Sequence, residues 1–338
     1  MERRRGWTRR GRKGRFRYHD GRGAEIRDET KLARIEKLVI PPAWTDVWVS
    51  PSSTAKLQAT GVDKAGRRQY LYHADFRAAQ EEAKYLKLIR FAERLPDLRA
   101  AMAEHIEADG FDRERVSAVA LRLINLGWFR VGSERYVRES GTYGITTITK
   151  RHLELRGSRI RLKFRGKHRA QVRSTIVDEE LADALRELLA LPGGARVFRY
   201  EWDSRIWNLT SKRLNDYVKL YLGEEFTAKD FRTWGGTLLA AIAFAERGVP
   251  ETATEGKRSV TAVMRRVAEQ LGNTPAVTRA SYVSPAVVDQ YLDGRTIEDF
   301  RPRHLRVVGA RDIGLDAEEQ ALLSLLRSAR IRRAREAA

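Results

Sequence analysis

A tyrosine and an arginine about fifty residues apart carry the chemistry that this sequence offers. Tyr282 precedes Ser284-Pro285, a pair typical of a helix N-cap and first helical position, and its phenol could attack a phosphorus atom. Arg232 closes the segment Lys229–Arg232, where its guanidinium could hold the phosphate under attack. In a chain this basic, the two together predict an enzyme that breaks a DNA backbone through a phosphotyrosine.

Cleavage of a phosphodiester by a tyrosine involves three tasks. The phenol, whose ordinary pKa is about 10, must lose its proton. The phosphorane needs cations or hydrogen-bond donors on its nonbridging oxygens, and the planar, permanently charged fork of arginine suits that task. The leaving 5′-oxygen needs a proton from a general acid. A lysine among arginines suits this last task, because neighbouring cations favour the loss of its proton.

Three further candidates lie at the ends of predicted elements. Arg130 follows the apolar run 121–129, and Lys167 follows a predicted hairpin. Asn273 comes after Gly272, the expected C-cap of a helix. Each also has an ordinary explanation. In a chain with 65 Lys and Arg most arginines are solvated, an Asn after Gly is usually a turn residue, and a lone tyrosine usually packs in a core.

The charge of the chain indicates a polyanionic partner. Its 65 Lys and Arg against 45 Asp and Glu give a formal net charge of +20. The excess is spread along the chain, since residues 1–82 hold 19 basic and 11 acidic side chains and the remainder holds 46 and 34. Nucleic acid is the commonest partner of such a protein. A generally basic protein without a specific partner is the alternative.

Missing residue patterns exclude several function classes. The chain has no cysteine, and its six histidines are scattered without metal-ligand spacing, so neither disulfides nor a metal site are expected. The sequence contains no run of about 18 apolar residues, which is the length that a membrane span requires. Gly256-Lys257-Arg258 lacks the spacing of a phosphate-binding loop, which argues against ATP as a substrate. We predict a cytoplasmic, nucleoid-associated protein without a cofactor.

The apolar pattern predicts a small β domain before a larger helical one. Ten of the residues 1–22 are Lys or Arg, and we predict a flexible basic arm there. Residues 23–80 are predicted as a β-rich DNA-binding domain with a helix near 26–38. Its short strands are predicted at Leu38–Pro42, Val47–Val49, Lys56–Ala59 and Arg67–Tyr72.

From Asp75 onward the apolar period becomes helical, and residues 81–338 are predicted as a mainly helical catalytic domain. A hairpin is predicted around Gly157-Ser158, where apolar and polar residues alternate over 153–164. Helices are predicted over 75–94, 97–108, 113–128, 178–190, 204–221, 233–247, 258–271, 285–292 and 316–335. The predicted fold class is therefore α+β.

Several motifs follow one another in a recognisable order. The helical part contains Arg130-Val131-Gly132 with Tyr136, Gly166-Lys167, Lys229–Trp234, Leu271–Pro275 and Ser281–Pro285. The β-rich part contains Ile40–Trp44 and Gly66–Tyr72. Together these motifs resemble the type IB DNA topoisomerases, most closely the small poxviral and bacterial branch, and the likeness covers most of the chain.

The resemblance implies a catalytic role for five residues. Tyr282 would be the nucleophile that forms a 3′-phosphotyrosyl bond and expels a 5′-hydroxyl. Arg130 and Arg232 would hold the scissile phosphate, and Lys167 would be the general acid, aided by Arg130. Asn273 would donate a hydrogen bond to a nonbridging oxygen. Many relatives have histidine at this last position, and an amide can donate a hydrogen bond but cannot be protonated.

DNA contacts are implied outside the catalytic set. Lys229 would reach toward the minor groove, and Tyr136 would contact DNA from the helical part. Gln69, Tyr70 and Tyr72 would touch DNA from the β domain, although aromatic residues on a small sheet are as often part of a core.

The activity that the resemblance implies is relaxation of supercoils of either sign without ATP or metal, by a monomer that closes as a clamp around duplex DNA. Two alternatives stay open. A tyrosine recombinase uses a similar set of Arg, Lys, His or Asn, Arg and Tyr, but the segment Ile40–Trp44 argues against it. A noncatalytic DNA-binding protein would hold DNA in a salt-sensitive manner and form no covalent adduct.

Overall fold

The computed structural model describes residues 6–301 and 314–336, which fall into two compact units that divide after Lys84. The first unit is built on an antiparallel sheet of five strands with the order β2-β1-β3-β4-β5. The strands and a short helix beside them are β1 (Trp7–Arg12), β2 (Arg15–His19), α1 (Glu29–Lys37), β3 (Thr45–Val49), β4 (Leu57–Val62) and β5 (Arg68–Tyr72).

The pairing between strands shows which residues point to the side of the sheet that packs against the core. Trp7, Val49, Ala59 and Leu71 stand opposite one another on four adjacent strands and therefore point to the same side. On that side they form a small apolar core with Ile35 of α1. The other side of the sheet faces away from this core.

The flexible arm predicted for residues 1–22 is wrong in its described part, because β1 and β2 form a hairpin within the sheet. Residues 1–5 lie outside the described ranges. Trp7, Phe16 and Tyr18 alternate with arginines, so one side of the hairpin is at least partly buried while the other is exposed. The many arginines concealed this period of two.

A strand predicted at Leu38–Pro42 is also wrong. Leu38 is the C-cap of α1, and Val39 has a left-handed conformation with φ of 47°. Their backbone N–H groups donate to the carbonyls of Ile35 and Glu36 at 3.1 and 3.0 Å, so this segment closes the helix instead of pairing with the sheet. The other predicted strands of this unit and its predicted helix are confirmed.

From α2 onward the described chain is mainly helical, which confirms the predicted α+β class. The elements are α2 (Ala74–Glu107), α3 (Arg113–Gly127), α4 (Glu134–Ser140), β6 (Leu153–Arg156), β7 (Arg159–Arg165), β8 (Gln171–Val177), α5 (Glu179–Ala190), β9 (Arg199–Trp202), β10 (Arg205–Asn208), α6 (Ser211–Leu222), α7 (Ala228–Arg247), α8 (Ala253–Leu271), α9 (Pro275–Ser281), α10 (Pro285–Leu292) and α11 (Ala317–Glu336). That the two units close around DNA stays a prediction.

The helical part differs from its prediction in several places. The predicted helices 75–94 and 97–108 are one helix, α2, which continues through Pro96. The predicted helix 204–221 begins only at Ser211, because Asp203 and Ser204 form the left-handed turn of the β9–β10 hairpin. Helices α4 and α9 and strands β8, β9 and β10 were not predicted, and β8 extends the confirmed hairpin to a three-stranded sheet.

Among the described helices, none combines the length and the apolar character that a membrane span requires.

Candidate active site

Helix α7 brings Arg232 to the site, and its first turn is fixed by a cap. The carboxylate of Asp230 accepts a hydrogen bond from the backbone N–H of Thr227 at 2.8 Å. The same carboxylate accepts one from the ammonium of Lys87 at 2.7 Å. This reciprocal cap begins α7 at Ala228 and fixes the direction in which Arg232 leaves the helix.

The Arg232 guanidinium joins the ends of two other helices to α7. It donates to the carbonyl of Trp128, the left-handed C-cap of α3, and to the carbonyl of Leu271, the last residue of α8, the latter at 2.8 Å. Carbonyls at helix C-termini lack partners within the helix and carry partial negative charge, which suits a cation. The side chain is only 5% exposed, so both bonds offset the cost of burying its charge.

Arg130 and Asn273 meet beside the end of α8. Gly272 closes that helix with φ of 61°, and Asn273 follows it. Arg130 donates to the carbonyl of Gly272 at 3.3 Å and to Oδ1 of Asn273. The loop after α3 and the loop after α8 are thereby joined through side chains that the sequence analysis had selected separately.

Two buried donors of this group have no hydrogen-bond partner among the described residues: Nε of Arg232 and Nδ2 of Asn273. An unpaired buried donor costs roughly 1–3 kcal/mol, so such groups are uncommon in folded proteins. These two unpaired donors, together with the positive charges of Arg130 and Arg232, fit a ligand that brings acceptor oxygens and negative charge.

Tyr282 lies in the short connection between α9 and α10. It is the C-cap of α9, where its backbone N–H donates to the carbonyl of Thr278 at 2.9 Å. The Arg232 guanidinium carbon is 5.0 Å from the centroid of the half-buried Tyr282 ring, a cation–π distance. The predicted nucleophile and a predicted phosphate-binding arginine are therefore in direct contact.

Thr237 and Gly236 also hold this segment, and the sequence analysis missed both. The buried Thr237 hydroxyl donates to the carbonyl of Thr233 at 2.7 Å and accepts from the backbone N–H of Ser284 at 3.1 Å. A Cβ at Gly236 would lie 2.6 Å from the carbonyl oxygen of Tyr282. A glycine pair inside an apolar helix costs about 1 kcal/mol per residue, and that cost was the available signal of a close approach.

The cations around Tyr282 change its acidity. Burial alone would raise the pKa of the phenol, but the charges of Arg232, Arg130 and Lys229 and hydrogen bonding to Arg232 outweigh burial, so the pKa lies below its usual value. Burial, together with the nearby Arg130 charge, lowers the pKa of Arg232 to about 10. Burial also lowers the pKa of Arg130. The site therefore stabilises negative charge and destabilises further positive charge.

Lys167 reaches the same place from the three-stranded sheet. It follows β7 in a turn that the backbone N–H of Gly166 closes by donating to the carbonyl of Ala170 at 2.8 Å. Lys167, Arg130 and Arg232 line one cavity of about 170 Å³. The structure thus brings all five predicted catalytic residues into one neighbourhood, with Lys167 exposed at its margin.

The predicted DNA contacts differ in their surroundings. Lys229 is exposed, one turn before Arg232, and Tyr136 is 52% exposed on α4. On β5, Tyr70 and Tyr72 are exposed and their rings stack with centroids 6.3 Å apart. Gln69 points to the opposite side of that strand, and its amide donates to the carboxylate of Asp63 at 2.9 Å. Contact of these five residues with DNA stays a prediction.

Comparison with known proteins places these residues in a family context. The family model described as eukaryotic DNA topoisomerase I, catalytic core, matches residues 73–298. The model described as bacterial DNA topoisomerase IB, N-terminal domain, matches residues 15–63. Within the described ranges, no group of three or more His, Asp and Glu side chains could hold a metal ion.

Individual relatives agree with the family models. DNA topoisomerase 1B of Acanthamoeba polyphaga mimivirus is 32% identical over 77% of this chain and 80% of its own length. DNA topoisomerase 1B of Vaccinia virus is 22% identical over 77% of this chain and 81% of its own. Among solved structures, the XerH site-specific recombinase bound to its difH substrate has a TM-score of 0.33 and 13% identity, and it covers 54% of this chain and 48% of its own.

Proposed function

The chain belongs to the type IB DNA topoisomerases, and we propose that it relaxes supercoiled duplex DNA by cutting one strand with Tyr282 and resealing it. One observation carries the assignment of the nucleophile. The Tyr282 ring lies against Arg232, within a group that includes Arg130, Asn273 and two buried donors for which the described residues offer no partner. A phosphodiester supplies the acceptor oxygens and the negative charge that this group lacks.

In the first step, the phenol of Tyr282 loses its proton to solvent as its oxygen attacks the phosphorus. A new phosphorus–oxygen bond forms on the 3′ side while the bond to the 5′-oxygen breaks. The lowered pKa of Tyr282 supports this role, because a larger fraction of phenolate is available near neutral pH than for an ordinary tyrosine.

Arg130 and Arg232 hold the nonbridging oxygens as charge accumulates on them, and Nδ2 of Asn273 donates a further hydrogen bond. The carbonyls of Trp128, Leu271 and Gly272 already orient the two guanidinium groups, so little reorganisation is needed in the transition state. Preorganised donors of this kind lower barriers more than flexible surface cations do.

Lys167 donates a proton to the leaving 5′-oxygen and takes it back when the strand is resealed. Lys167 lines the same cavity as Arg130 and Arg232, so its ammonium group lies beside the two arginines that hold the phosphate. Because the phosphotyrosine retains the energy of the broken bond, resealing by the free 5′-hydroxyl consumes no ATP. Rotation of the cut strand before resealing releases supercoils of either sign.

The reaction as proposed uses side chains for every charge, and it requires neither a metal ion nor a nucleotide. We propose that the protein acts on nucleoid DNA as a monomer, because a single chain can supply all five proposed catalytic residues. Neither strand exchange nor a second recognition site enters this scheme.

Relaxation of supercoiled plasmid in EDTA without ATP tests the proposal, with SDS quenching of parallel samples to trap covalent protein. Wild type should relax both positive and negative supercoils and form an adduct at the 3′ end. Tyr282→Phe should lose both activities while it binds DNA within about twofold of wild type, because only the nucleophilic oxygen is removed. Tyr291→Phe is the matched control, since its buried ring stacks on Phe244 and should not react.

Relaxation by Tyr282→Phe would show that another group is the nucleophile. Failure of wild type to relax either plasmid, with DNA binding intact, would instead support a recombinase or a noncatalytic DNA-binding protein.

A further inference from the structure

Arginine occupies four of the six paired positions on one side of the β1–β2 hairpin. Arg10 stands opposite Arg17, and Arg12 stands opposite Arg15, so four guanidinium groups point to the same side of a two-stranded ribbon. All four residues are exposed. We call these four residues the arginine face.

The arrangement is unfavourable unless an anion is bound. Directly opposite residues on antiparallel strands have Cβ atoms roughly 5 Å apart, and like charges there destabilise the pair. Of these four arginines, only Arg17 has a carboxylate of the described chain within ion-pair distance, that of Glu25 at 3.3 Å. Arg10, Arg12 and Arg15 therefore repel one another without an acidic partner in the described chain.

The other side of the hairpin is fixed to the sheet. Arg9 donates to the carbonyls of Pro41 and Trp44, and its guanidinium carbon is 4.1 Å from the centroid of the Phe16 ring. Trp7 is buried in the core of this unit. The arginine face is thus presented by an anchored ribbon, whereas a flexible basic tail would lose more conformational entropy on binding.

The arginine face lies on the side of the sheet that also carries exposed aromatic residues. Thr8, Trp48, Thr60 and Tyr70 stand opposite one another across adjacent strands, so β1 residues of even number share a side with Tyr70. The side is continuous from β5 to β2. At about 4.8 Å between strands, β1 and β2 lie about 14 to 19 Å from β5.

These dimensions correspond to duplex DNA. The major groove is roughly 12 Å wide, whereas this side of the sheet extends about 14 to 19 Å from β5 to β1 and β2, so it is wider than one groove and can also cover the bordering phosphates. Each duplex turn offers closely spaced phosphates on which a row of arginines can each find a partner.

We propose that the arginine face binds the phosphate backbone of duplex DNA and adds a sequence-independent contribution to affinity. The choice of DNA as the ligand rests on the proposed function. The arginine face takes no part in bond breaking, so it affects binding and its salt dependence but not the rate of cleavage once DNA is bound.

The test compares the salt dependence of binding to a duplex of about 30 base pairs of arbitrary sequence, measured by fluorescence anisotropy with the full chain carrying Tyr282→Phe. The test variant changes Arg10, Arg12, Arg15 and Arg17 to Gln. Each lost phosphate contact reduces the slope of log K against log salt by about 0.9, so the slope should fall by about 2 to 4. Removal of like-charge repulsion should leave the melting temperature unchanged or raised.

A matched control removes the same amount of charge elsewhere. Arg266, Arg301, Arg327 and Arg332 each pair with a carboxylate, and their change to Gln should alter the slope much less. The four positions of the arginine face changed to Lys should keep nearly the wild-type slope, because the charge is retained. A test variant whose slope lies within about 1 of the control would overturn the proposal, because it would have lost no more than one phosphate contact.

Failure of this inference can be told apart from failure of the proposed function. Single-turnover cleavage at low salt and saturating DNA, with Tyr282 restored, should proceed within about twofold of the wild-type rate when the four arginines are Gln. A chain that binds DNA with the expected slopes but never cleaves it would contradict the proposed function alone. A cleavage rate reduced more than tenfold at saturating DNA would contradict the noncatalytic role of the arginine face.

Discussion

Arginine is used in opposite ways in the two units. In the helical unit, Arg232 is 5% exposed and Arg130 is half-buried, and main-chain carbonyls at the ends of α3 and α8 fix their donors. In the sheet unit, the arginine face is exposed and, in the described chain, only Arg17 has an acidic partner. Protein groups hold the first pair in place before any ligand binds, whereas in the described chain three of the four arginines in the second set lack an acidic partner.

The difference separates catalysis from affinity. A donor that is fixed in place stabilises charge in the transition state without reorganisation, and burial strengthens that interaction. An exposed, mobile cation contributes through counterion release, which depends on salt and hardly on geometry. Substitutions in the two regions should therefore change different measurements.

The largest effect that sharpens this comparison is expected from Arg232→Ala or Arg130→Ala. Each removes a preorganised donor from the phosphate, and single-turnover cleavage at saturating DNA should fall about 10²–10³-fold. The salt slope of binding should change by less than about 1, since at most one phosphate contact is lost.

Arg247→Ala is the matched control for that experiment. It lies at the last residue of the same helix, about 22 Å along the axis from Arg232, and is exposed. If Arg232→Ala cleaves DNA as fast as Arg247→Ala, the distinction between the two kinds of arginine is wrong, because a fixed arginine would then matter no more for cleavage than an exposed one.

The members of the proposed catalytic group could be selected from the sequence because each has a chemically distinctive side chain near the end of an element. Tyr282, Arg130 and Arg232 could be selected by type, and the resemblance then assigned their roles. Thr237 could not be found in this way, because it acts through the backbone of Ser284, and no sequence pattern records which main-chain groups meet across helices.

The fold was predicted best where apolar spacing was clear and worst where charge concealed it. Helix α3 and helix α10 follow from their apolar faces and end near their predicted bounds. The β1–β2 hairpin was missed because most of its exposed positions hold arginine or lysine, a composition that suggests a solvated chain. Its inward-facing Trp7, Phe16 and Tyr18 were the informative residues, at a period of two.

A smaller effect is expected from Thr237→Val, which removes the acceptor of the Ser284 N–H and loosens the segment that carries Tyr282. Misplacement of a reacting group is costly, and we expect cleavage at saturating DNA to fall about 10- to 10²-fold. Loss of the buried hydrogen bond should also lower the free energy of unfolding by about 1–3 kcal/mol. Rates are therefore measured well below the melting temperature.

Thr237→Ser is the control for this positioning role, because it keeps the hydroxyl and removes only a methyl group. Its cleavage rate should lie close to that of wild type, and the salt slope of both variants should be unchanged. Equal losses of cleavage in the Ser and Val variants would mean that packing, and not the hydrogen bond to Ser284, holds the nucleophile.

The smallest effect is expected from Lys229→Gln. Lys229 shares a property with each kind of cation, namely the exposure of the arginine face and the proximity of the buried arginines to Tyr282. Lys229 is exposed like the arginine face, yet its charge contributes to the lowered pKa of Tyr282. Removal of a cation raises the pKa of a phenol, so the rising limb of the pH–rate profile for single-turnover cleavage should move to higher pH, with a modest loss of rate at neutral pH. As a control, Lys219→Gln removes a lysine of α6 that pairs with Glu224, and it should leave the pH–rate profile unchanged.

Salt distinguishes this exposed charge from the buried arginines. At about 1 M salt the screening length is roughly 3 Å, so the shift caused by Lys229→Gln should shrink, provided that cleavage is followed from a complex assembled at low salt. The loss caused by Arg232→Ala should persist, because burial protects that interaction from screening. Two outcomes would contradict this view: a shift of the Lys229→Gln pH–rate profile to lower pH, or a Lys229→Gln effect that persists at high salt as fully as the Arg232→Ala effect. Either would show that the exposure of a cation does not determine its role in this protein.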